Sequence, residues 1–467
     1  MPRTVVCGRT VLCFTVGLSL ATVPWSAAAQ GGTAPETESA AAEVELTEAE
    51  ERALVPLDGE YGSEVEKRWR AILGEEGLSE GANDRDVYIV SGVATVAMEK
   101  GARGWIESRR IAHDIAYERA KAELVSALGQ VVQREGSTEF LSRSSFGQGS
   151  LEREADRLDQ VARIRGKLAD LAEAEIDQAL EEIDPGYRPE TYDRMDMPEL
   201  DVALETLFEQ SSYRAAASVV AGATTFRVIE GPSADARNHE VLVGLVWSPR
   251  LASLAATVVD GTSSVRTEKT GVDPQTLVPE LVGDAVTAMG TRVFIDDKGD
   301  RALISFAQVE PAAVSAADRS QAQRMALSTA EDLAIGQIAA FAGERIAFES
   351  ETRAQQLTQV YADLVQRGVE IDTEQLQTIR TATGRVEISG AETLWQQVVQ
   401  HPETQQDIAV VAVLWSPSNQ AMAGAMRTRM QNPQVEAAAD PAADRDDAPE
   451  AEPGMTFESD GVSSDAY

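Results

Sequence analysis

Cysteine is nearly absent from the sequence. Only two of the 467 residues are cysteines, Cys7 and Cys13, and both lie close to the N-terminus. The rest of the chain therefore has no thiol for a disulfide, a thiolate metal site or a cysteine nucleophile. Histidine is also scarce, with three residues, and no two of them have the i, i+4 spacing of a helical metal site. We therefore predict no metal and no cofactor.

Basic residues are few as well. The chain has 41 Lys and Arg against 77 Asp and Glu, a formal net charge of −36. Such a field repels nucleic acid phosphates and anionic lipid surfaces, so we predict no nucleic acid partner. A solvated acidic surface, a saline habitat and a cationic partner all remain compatible with this charge. Beyond the N-terminus no apolar run approaches the roughly 20 residues of a spanning helix, so we predict no transmembrane segment in the mature chain.

The N-terminus has the pattern of a cleavable secretory signal. Two arginines precede the apolar run Val11–Val23, and Ala27-Ala28-Ala29 offers a small-residue cleavage site. Leucine rather than a small residue precedes Cys13, which argues against lipidation. The sequence also lacks an Asn-x-Ser/Thr acceptor, which favours a bacterial envelope over a eukaryotic secretory route. We therefore predict a periplasmic protein that begins near Gln30.

One block of sequence occurs twice. Residues Glu240–Pro249 read E-V-L-V-G-L-V-W-S-P, and Asp407–Pro417 read D-I-A-V-V-A-V-L-W-S-P. A short apolar run stopped by Ser-Pro is typical of a central strand covered on both faces. Upstream of each run lies a second matching piece, Gly222–Phe226 and then Gly390–Leu394, 168 residues later. The sequence therefore predicts an internal duplication.

Each copy also has a long helical pattern with alanine at every fourth position. We predict helices over 106–133 and 315–341, in which the stripe is formed by Ala112, Ala116, Ala120, Leu124 and Leu128 and by Ala322, Ala326, Ala330, Ala334, Ile338 and Ala342. A β-rich stretch, Asp86–Met98, precedes the first helix, and a hairpin around Asp296–Asp300 precedes the second. We match Val87-Tyr-Ile in the first copy with Val293-Phe-Ile in the second.

These patterns predict an α/β (α+β) fold of two related domains. Each domain has a small, mostly antiparallel sheet packed by the alanine-striped helix, and the first also has a charged helical insertion. The predicted order is 1–29 signal peptide, 30–48 flexible leader, 49–260 first repeat with the helical insertion at 150–183, 261–271 linker, 272–430 second repeat and 431–467 disordered acidic tail.

The patterns for catalysis are weak. Gly77-Leu-Ser-Glu-Gly81 matches the nucleophile elbow of serine hydrolases, but an elbow needs a strand before Ser79 and a helix after it. The flanking residues provide neither. The histidines are expected at the surface or at sheet edges: His113 on the alanine helix, His239 at the start of a strand and His401 in a loop. Catalytic, cofactor-binding and metal residues are therefore predicted as none.

Two further features have a simpler interpretation than a site. Asp296-Asp-Lys-Gly-Asp300 could suggest calcium, but a lysine interrupts the ligand pattern and a hairpin turn fits better. Trp247 and Trp415 close apolar strands, which favours core packing over a ligand shelf. The arginines alternate with acids along the helices, so we interpret them as solvated faces.

The repeat unit resembles an envelope family that includes small outer-membrane lipoproteins and flagellar outer-ring proteins. The similar residues are Arg110–Val132 with Val241–Val246, and Arg324–Ala342 with Val410–Trp415. Their pattern is a long helix with alanines every fourth residue followed by an apolar strand. The resemblance implies a periplasmic structural or assembly role without catalysis, in a member that lacks the lipidation cysteine.

Three functions are compatible with the sequence. The first is a periplasmic, non-enzymatic structural, assembly or protein-interaction protein whose partner is another envelope protein or a second copy. The second is a periplasmic ligand-binding protein with a site between the domains, for which a deep pocket there would be the evidence. The third is a hydrolase whose catalytic set forms only in the fold. We expect the first.

Overall fold

The computed structural model describes residues 60–135, 150–167, 197–260, 271–282, 285–312, 315, 317–343, 347, 351–367, 373–383 and 388–431. The predicted signal peptide, leader and tail lie outside these ranges, apart from Gln431. The predicted linker does too, apart from Gly271, as does the second half of the predicted helical insertion. All of the described residues belong to one compact unit, residues 43–467.

The first repeat, as we name residues 60–260, contains five strands and five helices among its described residues. The strands are β1 (Glu60–Tyr61), β2 (Gly81–Ala82), β3 (Tyr88–Thr95), β4 (Thr224–Pro232) and β5 (His239–Trp247). The helices are α1 (Val65–Glu76), α2 (Trp105–Glu135), α3 (Ser150–Lys167), α4 (Met197–Val219) and α5 (Pro249–Asp260). Helix α4 ends at Val219 and strand β4 begins at Thr224, so a short connection joins them.

The second repeat, residues 271–431, has a similar order of elements. Its strands are β6 (Gly290–Ile295), β7 (Arg301–Val309), β8 (Ala391–Gln400) and β9 (Asp407–Trp415). Its helices are α6 (Pro274–Val282), α7 (Arg319–Phe341), α8 (Glu351–Arg367), α9 (Thr373–Thr383) and α10 (Pro417–Gln431). The predicted hairpin over β6 and β7 and the two alanine-striped helices, α2 and α7, are confirmed.

Each repeat forms its own sheet. The strand order is β1-β4-β5-β3-β2 in the first sheet and β6-β7-β9-β8 in the second. All pairs are antiparallel except that of the short edge strand β1, which runs parallel to β4. The predicted α+β class with two related, mostly antiparallel sheets is confirmed.

The pairing shows how closely the two sheets correspond. A bulge interrupts the β4–β5 ladder between Thr225 and Arg227, and the β8–β9 ladder is interrupted at the matching place, between Thr393 and Trp395. Tyr88 pairs with Trp247 as Leu303 pairs with Trp415. Strand β3 therefore corresponds to β7, and the match of Val87-Tyr-Ile with Val293-Phe-Ile in β6 was wrong. Short apolar triplets recur in any β-rich stretch, so only the ladder identifies the true counterpart.

The small residues explain how closely helix α2 lies on its sheet. Its stripe residues Ala112, Ala116 and Ala120 are 0–1% exposed. Gly92 of β3 lies beneath them, and a Cβ there would come within 2.1 Å of the Ala116 carbonyl oxygen. Helix α7 packs in the same way through Ala326, Ala330 and Ala334, which are also buried.

The two repeats share their cores. Helix α8 of the second repeat packs against α4 and α2 of the first, and α9 packs against α8 and α2. Their residues Leu357, Tyr361 and Leu376 join the apolar cluster around α2. The Tyr361 hydroxyl donates to Glu118 of α2 at 3.3 Å. The inner face of α2 is therefore covered by its sheet and the outer face by helices of both repeats. In the described part of the chain, no helix is long and apolar enough to cross a bilayer.

Candidate functional site

A pocket of about 380 Å³ lies between the two repeats. Helix α2 forms one wall, α7 and α9 form the others, and strands β6 and β7 form the floor. We call it the inter-repeat pocket, and its main lining residues are Arg110, His113, Asp114, Tyr117, Gly290, Gln308, Leu333, Gly336, Leu376, Ile379 and Arg380. Because both repeats supply its walls, the pocket depends on the way that α9 packs beside α2.

Asp114 connects the charged groups of this pocket. Its Oδ2 accepts hydrogen bonds from Arg110 Nη1 at 2.7 Å and from Arg380 Nη2 at 2.6 Å. Burial disfavours the charged carboxylate, but the hydrogen bond from His113 and the positive charges of Arg110 and Arg380 outweigh it and lower the pKa of Asp114. Asp114 is therefore ionised at neutral pH, and its charge is neutralised by one arginine from each repeat.

His113 presents an unpaired acceptor to the pocket. The residue is 3% exposed, and its Nδ1 lies 3.4 Å from Asp114 Oδ1. Because an ionised carboxylate only accepts, this contact places a hydrogen on Nδ1, and in the neutral ring Nε2 then carries the lone pair. Among the described residues, Nε2 has no hydrogen-bond partner.

Gln308 presents a second unpaired acceptor. The two hydrogens of its Nε2 are shared among three backbone carbonyl oxygens, those of Ala285 at 2.8 Å, Val286 at 2.8 Å and Ala288 at 3.1 Å. Those three acceptors fix the orientation of the amide, so Oε1 is the atom without a partner in the described structure. Gln308 is 2% exposed. His113 and Gln308, two residues of the pocket lining, thus each hold an unpaired acceptor, which suits a ligand that brings hydrogen-bond donors.

Two glycines keep the pocket open. Gly336 lies in helix α7, and no atom lies within 4 Å of the position that its Cβ would occupy. Gly290, at the start of β6, has φ +88°, and a Cβ there would lie 2.4 Å from Thr225 Oγ1. A larger residue at Gly336 would thus enter the pocket without a clash, whereas one at Gly290 would strain the backbone.

A second group of polar residues lies where the start of α2 meets the hairpin between β8 and β9. Four rings form a closed cycle, which we call the ring cluster: Tyr61, His239, Trp105 and His401. Neighbouring centroids are 5.9 Å apart for Tyr61–His239, 5.4 Å for His239–Trp105, 4.8 Å for Trp105–His401 and 5.1 Å for His401–Tyr61. The cluster thus joins two histidines that are far apart in the sequence.

A buried ion pair supports the ring cluster. Arg109 Nε and Nη2 each donate to a carboxylate oxygen of Glu230 at 2.5 Å, and both side chains are 0% exposed. His239 Nε2 lies 2.7 Å from the same carboxylate, and Arg109 also donates to the Val286 carbonyl oxygen at 2.9 Å. Burial opposes the charge on Glu230, but the charge and hydrogen bonds of Arg109, together with His239, lower its pKa to about 2. Through its bond to Val286, Arg109 also connects the first repeat to the second.

His401 is neutral in this setting. Its Nδ1 accepts hydrogen bonds from the backbone N–H groups of Glu403 at 3.3 Å and Thr404 at 3.2 Å. Burial, followed by the positive charge of Arg109, lowers its pKa to about 4. Burial and the negative charge of Glu230 raise the pKa of Tyr61 to about 12. Neither ring therefore titrates near neutral pH.

A larger, open cavity of about 690 Å³ adjoins the ring cluster. Its charged side chains are mostly paired with one another. Lys100 forms an ion pair with Glu403, Arg237 lies 3.5 Å from Asp235, and His239 is bonded to Glu230. This cavity therefore offers a ligand fewer unpaired buried groups than the inter-repeat pocket, which we take as the candidate site.

The expectation that the histidines lie at the surface or at sheet edges was wrong. His113, His239 and His401 are 3%, 13% and 0% exposed. The elements were placed correctly, but burial of these residues depends on packing between the two repeats, and no local pattern reveals that. The prediction of solvated arginines along the helices also fails at Arg109 of α2, which is 0% exposed.

The other sequence candidates lie apart from both groups of residues. Ser79 follows helix α1 and precedes strand β2, the reverse of the order that a nucleophile elbow needs, and its Oγ lies 3.3 Å from Asn83 Oδ1. The Asp296 side chain accepts the backbone N–H groups of Lys298 and Asp300, so it stabilises a hairpin turn as predicted. The described residues contain no group of three or more His, Cys, Asp or Glu placed to hold a metal ion.

Both tryptophans belong to the core, as predicted. Trp247 is 1% exposed and Trp415 is 0% exposed. Trp247 Nε1 donates to the carbonyl oxygens of Val219 at 3.0 Å and Ala221 at 3.2 Å. Trp415 Nε1 has no such partner among the described residues.

Comparison with known proteins gives little functional information. A family model described as a domain of unknown function, DUF6844, matches residues 161–260. No curated protein matches the sequence. One solved structure, of hypothetical protein FTT1539c from Francisella tularensis, is similar with a TM-score of 0.47 and 17% identity, and the match covers 75% of this chain and 89% of that one.

Proposed function

We propose that the protein is a non-catalytic binding protein of the bacterial cell envelope that holds a small molecule in the inter-repeat pocket. One observation carries this proposal. His113 Nε2 and Gln308 Oε1 are acceptors on residues more than nine-tenths buried, and both residues line one pocket built from both repeats. An unpaired buried acceptor costs about 1–3 kcal/mol, and a ligand that donates to it recovers that free energy.

The lining defines the class of ligand. Two acceptors call for at least two donors, such as hydroxyl, amine or amide N–H groups. Leu333, Leu376 and Ile379 add apolar surface beside them. The volume of about 380 Å³ limits the ligand to a small molecule. We therefore propose a compound with one apolar side and two or more hydrogen-bond donors.

Binding without chemical change fits the electrostatics of the pocket. Asp114 is held by Arg110 and Arg380, so its carboxylate is poorly suited to take a proton from a ligand. The envelope location is supported by the signal-like N-terminus and by the resemblance to an envelope family. The structural or assembly role expected from the sequence is then a second candidate function. The exposed surface of α10 favours that role.

A pocket-filling variant tests the proposal. The melting temperature of the protein is measured with hexanediol, cyclohexanediol and hexanediamine, and with dimethoxyhexane as the matched compound without donors. We expect at least one donor-bearing compound to raise the Tm by about 2 °C or more, since a ligand that binds only the folded state stabilises it. Gly336→Leu should abolish that shift, because its side chain would occupy the pocket.

Gly74→Leu is the matched control. Gly74 also lies within a helix, α1, with no atom within 4 Å of its Cβ position, and it lies outside the pocket. Each substitution replaces a helical glycine, so each should leave the ligand-free Tm unchanged or higher. The proposal fails if no donor-bearing compound shifts the wild type, or if Gly336→Leu responds as Gly74→Leu does.

The proposed location has a separate test. Cell fractionation should recover the protein from the periplasm, and N-terminal sequencing should begin near Gln30, after Ala27-Ala28-Ala29. A protein that retains residues 1–29, or that carries lipid on Cys13, would contradict the proposal of a soluble envelope protein without affecting the test of the pocket.

A further inference from the structure

One charged group of the inter-repeat pocket has no partner. Asp332 belongs to helix α7, lines the pocket and is exposed. Among the residues that the structure describes, its carboxylate takes part in no hydrogen bond and no ion pair. Asp332 precedes Gly336 by four positions, so the two residues share one face of α7. The carboxylate therefore lies about one helical turn from the open space beside Gly336.

The two arginines of the pocket lining are already neutralised. Arg110 donates to Glu107 and to Asp114, and Arg380 donates to the same oxygen of Asp114. Two arginines and two carboxylates thus form one balanced group. An anionic ligand would have to compete with both carboxylates for these arginines, so the pocket offers it no free positive charge there.

The other charged residues of the lining leave one negative charge in excess. Lys121 is 1% exposed, and its Nζ lies 4.7 Å from the centroid of the Tyr117 ring. Glu118 is buried as well and accepts a hydrogen bond from the Tyr361 hydroxyl. The charges of Lys121 and Glu118 are opposite in sign, so the excess negative charge of the lining is that of Asp332.

The charge of the whole chain has the same sign as the unpaired carboxylate. The formal net charge is −36. A field of this sign attracts cations to the surface and repels anions from it. The local charge at Asp332 and the field of the whole chain therefore both favour a positively charged ligand.

We propose that the ligand of the inter-repeat pocket carries a positively charged amino group and that Asp332 selects for it. The ammonium group binds at the exposed carboxylate, where water still reaches it and its desolvation cost stays low. The other hydrogen-bond donors of the ligand are left for His113 and Gln308. This inference rests on the proposed function, because it names the class of ligand for the same pocket: an amine with a second donor, such as an amino alcohol.

Isothermal titration calorimetry of the full chain with three matched classes of compound tests the proposal. Amino alcohols with butane, pentane and hexane chains carry a positive charge, the diols of the same lengths carry none, and the hydroxy acids carry a negative charge. At low salt we expect an amino alcohol to bind about threefold more tightly than its diol, which is the range of an exposed ion pair. The hydroxy acid should bind more weakly than the diol, and high salt should reduce both differences.

Asp332→Asn removes the charge and keeps the size of the side chain. In this variant the amino alcohol should bind only as tightly as the diol, and the affinity for the diol should equal that of the wild type. Asp297→Asn is the matched control. Asp297 is also exposed and belongs to the second repeat, but it lies in the turn between β6 and β7, outside the pocket lining. Its replacement removes the same charge from the chain and should leave the preference for the amino alcohol unchanged.

The outcomes separate this inference from the proposed function. If no compound of the three classes binds, the proposed function fails and the inference fails with it. If the diols bind but the amino alcohols bind no better than the diols or the hydroxy acids, only the inference is overturned. It is also overturned if Asp332→Asn keeps the preference, or if Asp297→Asn abolishes it equally, because the field of the whole chain would then select the ligand.

Discussion

Helices α2 and α7 occupy the same place in the two repeats but differ in what covers them. Both pack an alanine stripe on their own sheet. The other side of α2 is covered by α4 and α8, so that even Lys121 and Ala122 are 1% and 4% exposed. The other side of α7 remains open, with Met325 at 63% exposure. Because α8 and α9 pack on α2, the inter-repeat pocket forms between the two long helices.

The same difference appears where each long helix begins. In the first repeat Arg109 holds Glu230, and the pair is fully buried with His239. In the second, Arg319 makes a bidentate contact with Asp407, which corresponds to His239 in the duplicated block, but the arginine side chain is 56% exposed. In both repeats an arginine near the start of the long helix is thus paired with a carboxylate on a strand of its own sheet, and the burial of the pair follows from which helix is covered.

The largest effect predicted from this comparison concerns the two arginines. Arg109→Ala should lower the free energy of unfolding by about 3–5 kcal/mol, because Glu230 would stay buried without its arginine partner. Arg319→Ala should cost about 1 kcal/mol or less, since solvent screens an exposed pair. Chemical denaturation of both variants measures the difference. Equal losses would contradict the conclusion that the Arg109–Glu230 pair is buried and the Arg319–Asp407 pair is exposed.

A smaller predicted effect is the loss of stability in acid, to which His401 and Glu230 contribute in different pH ranges. The pKa of His401 is lowered to about 4, so the unfolded chain binds a proton that the folded chain refuses as the pH falls from about 6.5 to 4. Stability should decrease by about 3 kcal/mol across that window. Glu230, with its pKa lowered from 4.5 to about 2, contributes stability that is lost only at lower pH, between about 4.5 and 2.

The variant His401→Asn tests whether His401 causes the loss of stability between pH 6.5 and 4. Asparagine keeps an acceptor for the two backbone N–H groups but does not titrate. Unfolding free energies of the variant should therefore change much less between pH 6.5 and 4 than those of the wild type. An unchanged slope in that window would show that His401 is not the group responsible.

The smallest predicted difference lies between the two core tryptophans. Replacement of either by alanine should cost about 3–5 kcal/mol, since each fills a buried site. Trp247→Phe should cost about 1–2 kcal/mol more than Trp415→Phe, because only Trp247 Nε1 is bonded to backbone carbonyls. Thermal or chemical unfolding of the two phenylalanine variants tests this, and a larger loss at Trp415 would contradict it.

Local patterns predicted most of the fold. The apolar runs that end in Trp-Ser-Pro became β5 and β9, and the alanine stripes became the buried faces of α2 and α7, because both patterns reflect the periodicity of one element against its own sheet. The turn at Asp296–Asp300 was also predicted from residue types. The exposed methionines of α10 were not, since burial of an apolar face depends on a partner.

The candidate site could not be predicted because its parts meet only through packing between the repeats. Arg380 reaches Asp114 across 266 positions of sequence. No spacing rule connects such residues. The open space beside Gly336 likewise has no signature in sequence, where a helical glycine indicates only a weak helix position. The low exposure of the three histidines would indicate a candidate site, but that exposure is known only from the structure.

Native-state hydrogen exchange tests most directly the claim that only one of the long helices is covered on both sides. Amides in the middle of α2, from Ala116 to Leu128, should exchange only through global unfolding. Amides of α7 between Ala326 and Ile338 should exchange at least about tenfold faster, through local openings at the uncovered face. Equal protection of the two helices, or slower exchange in α7, would contradict the account.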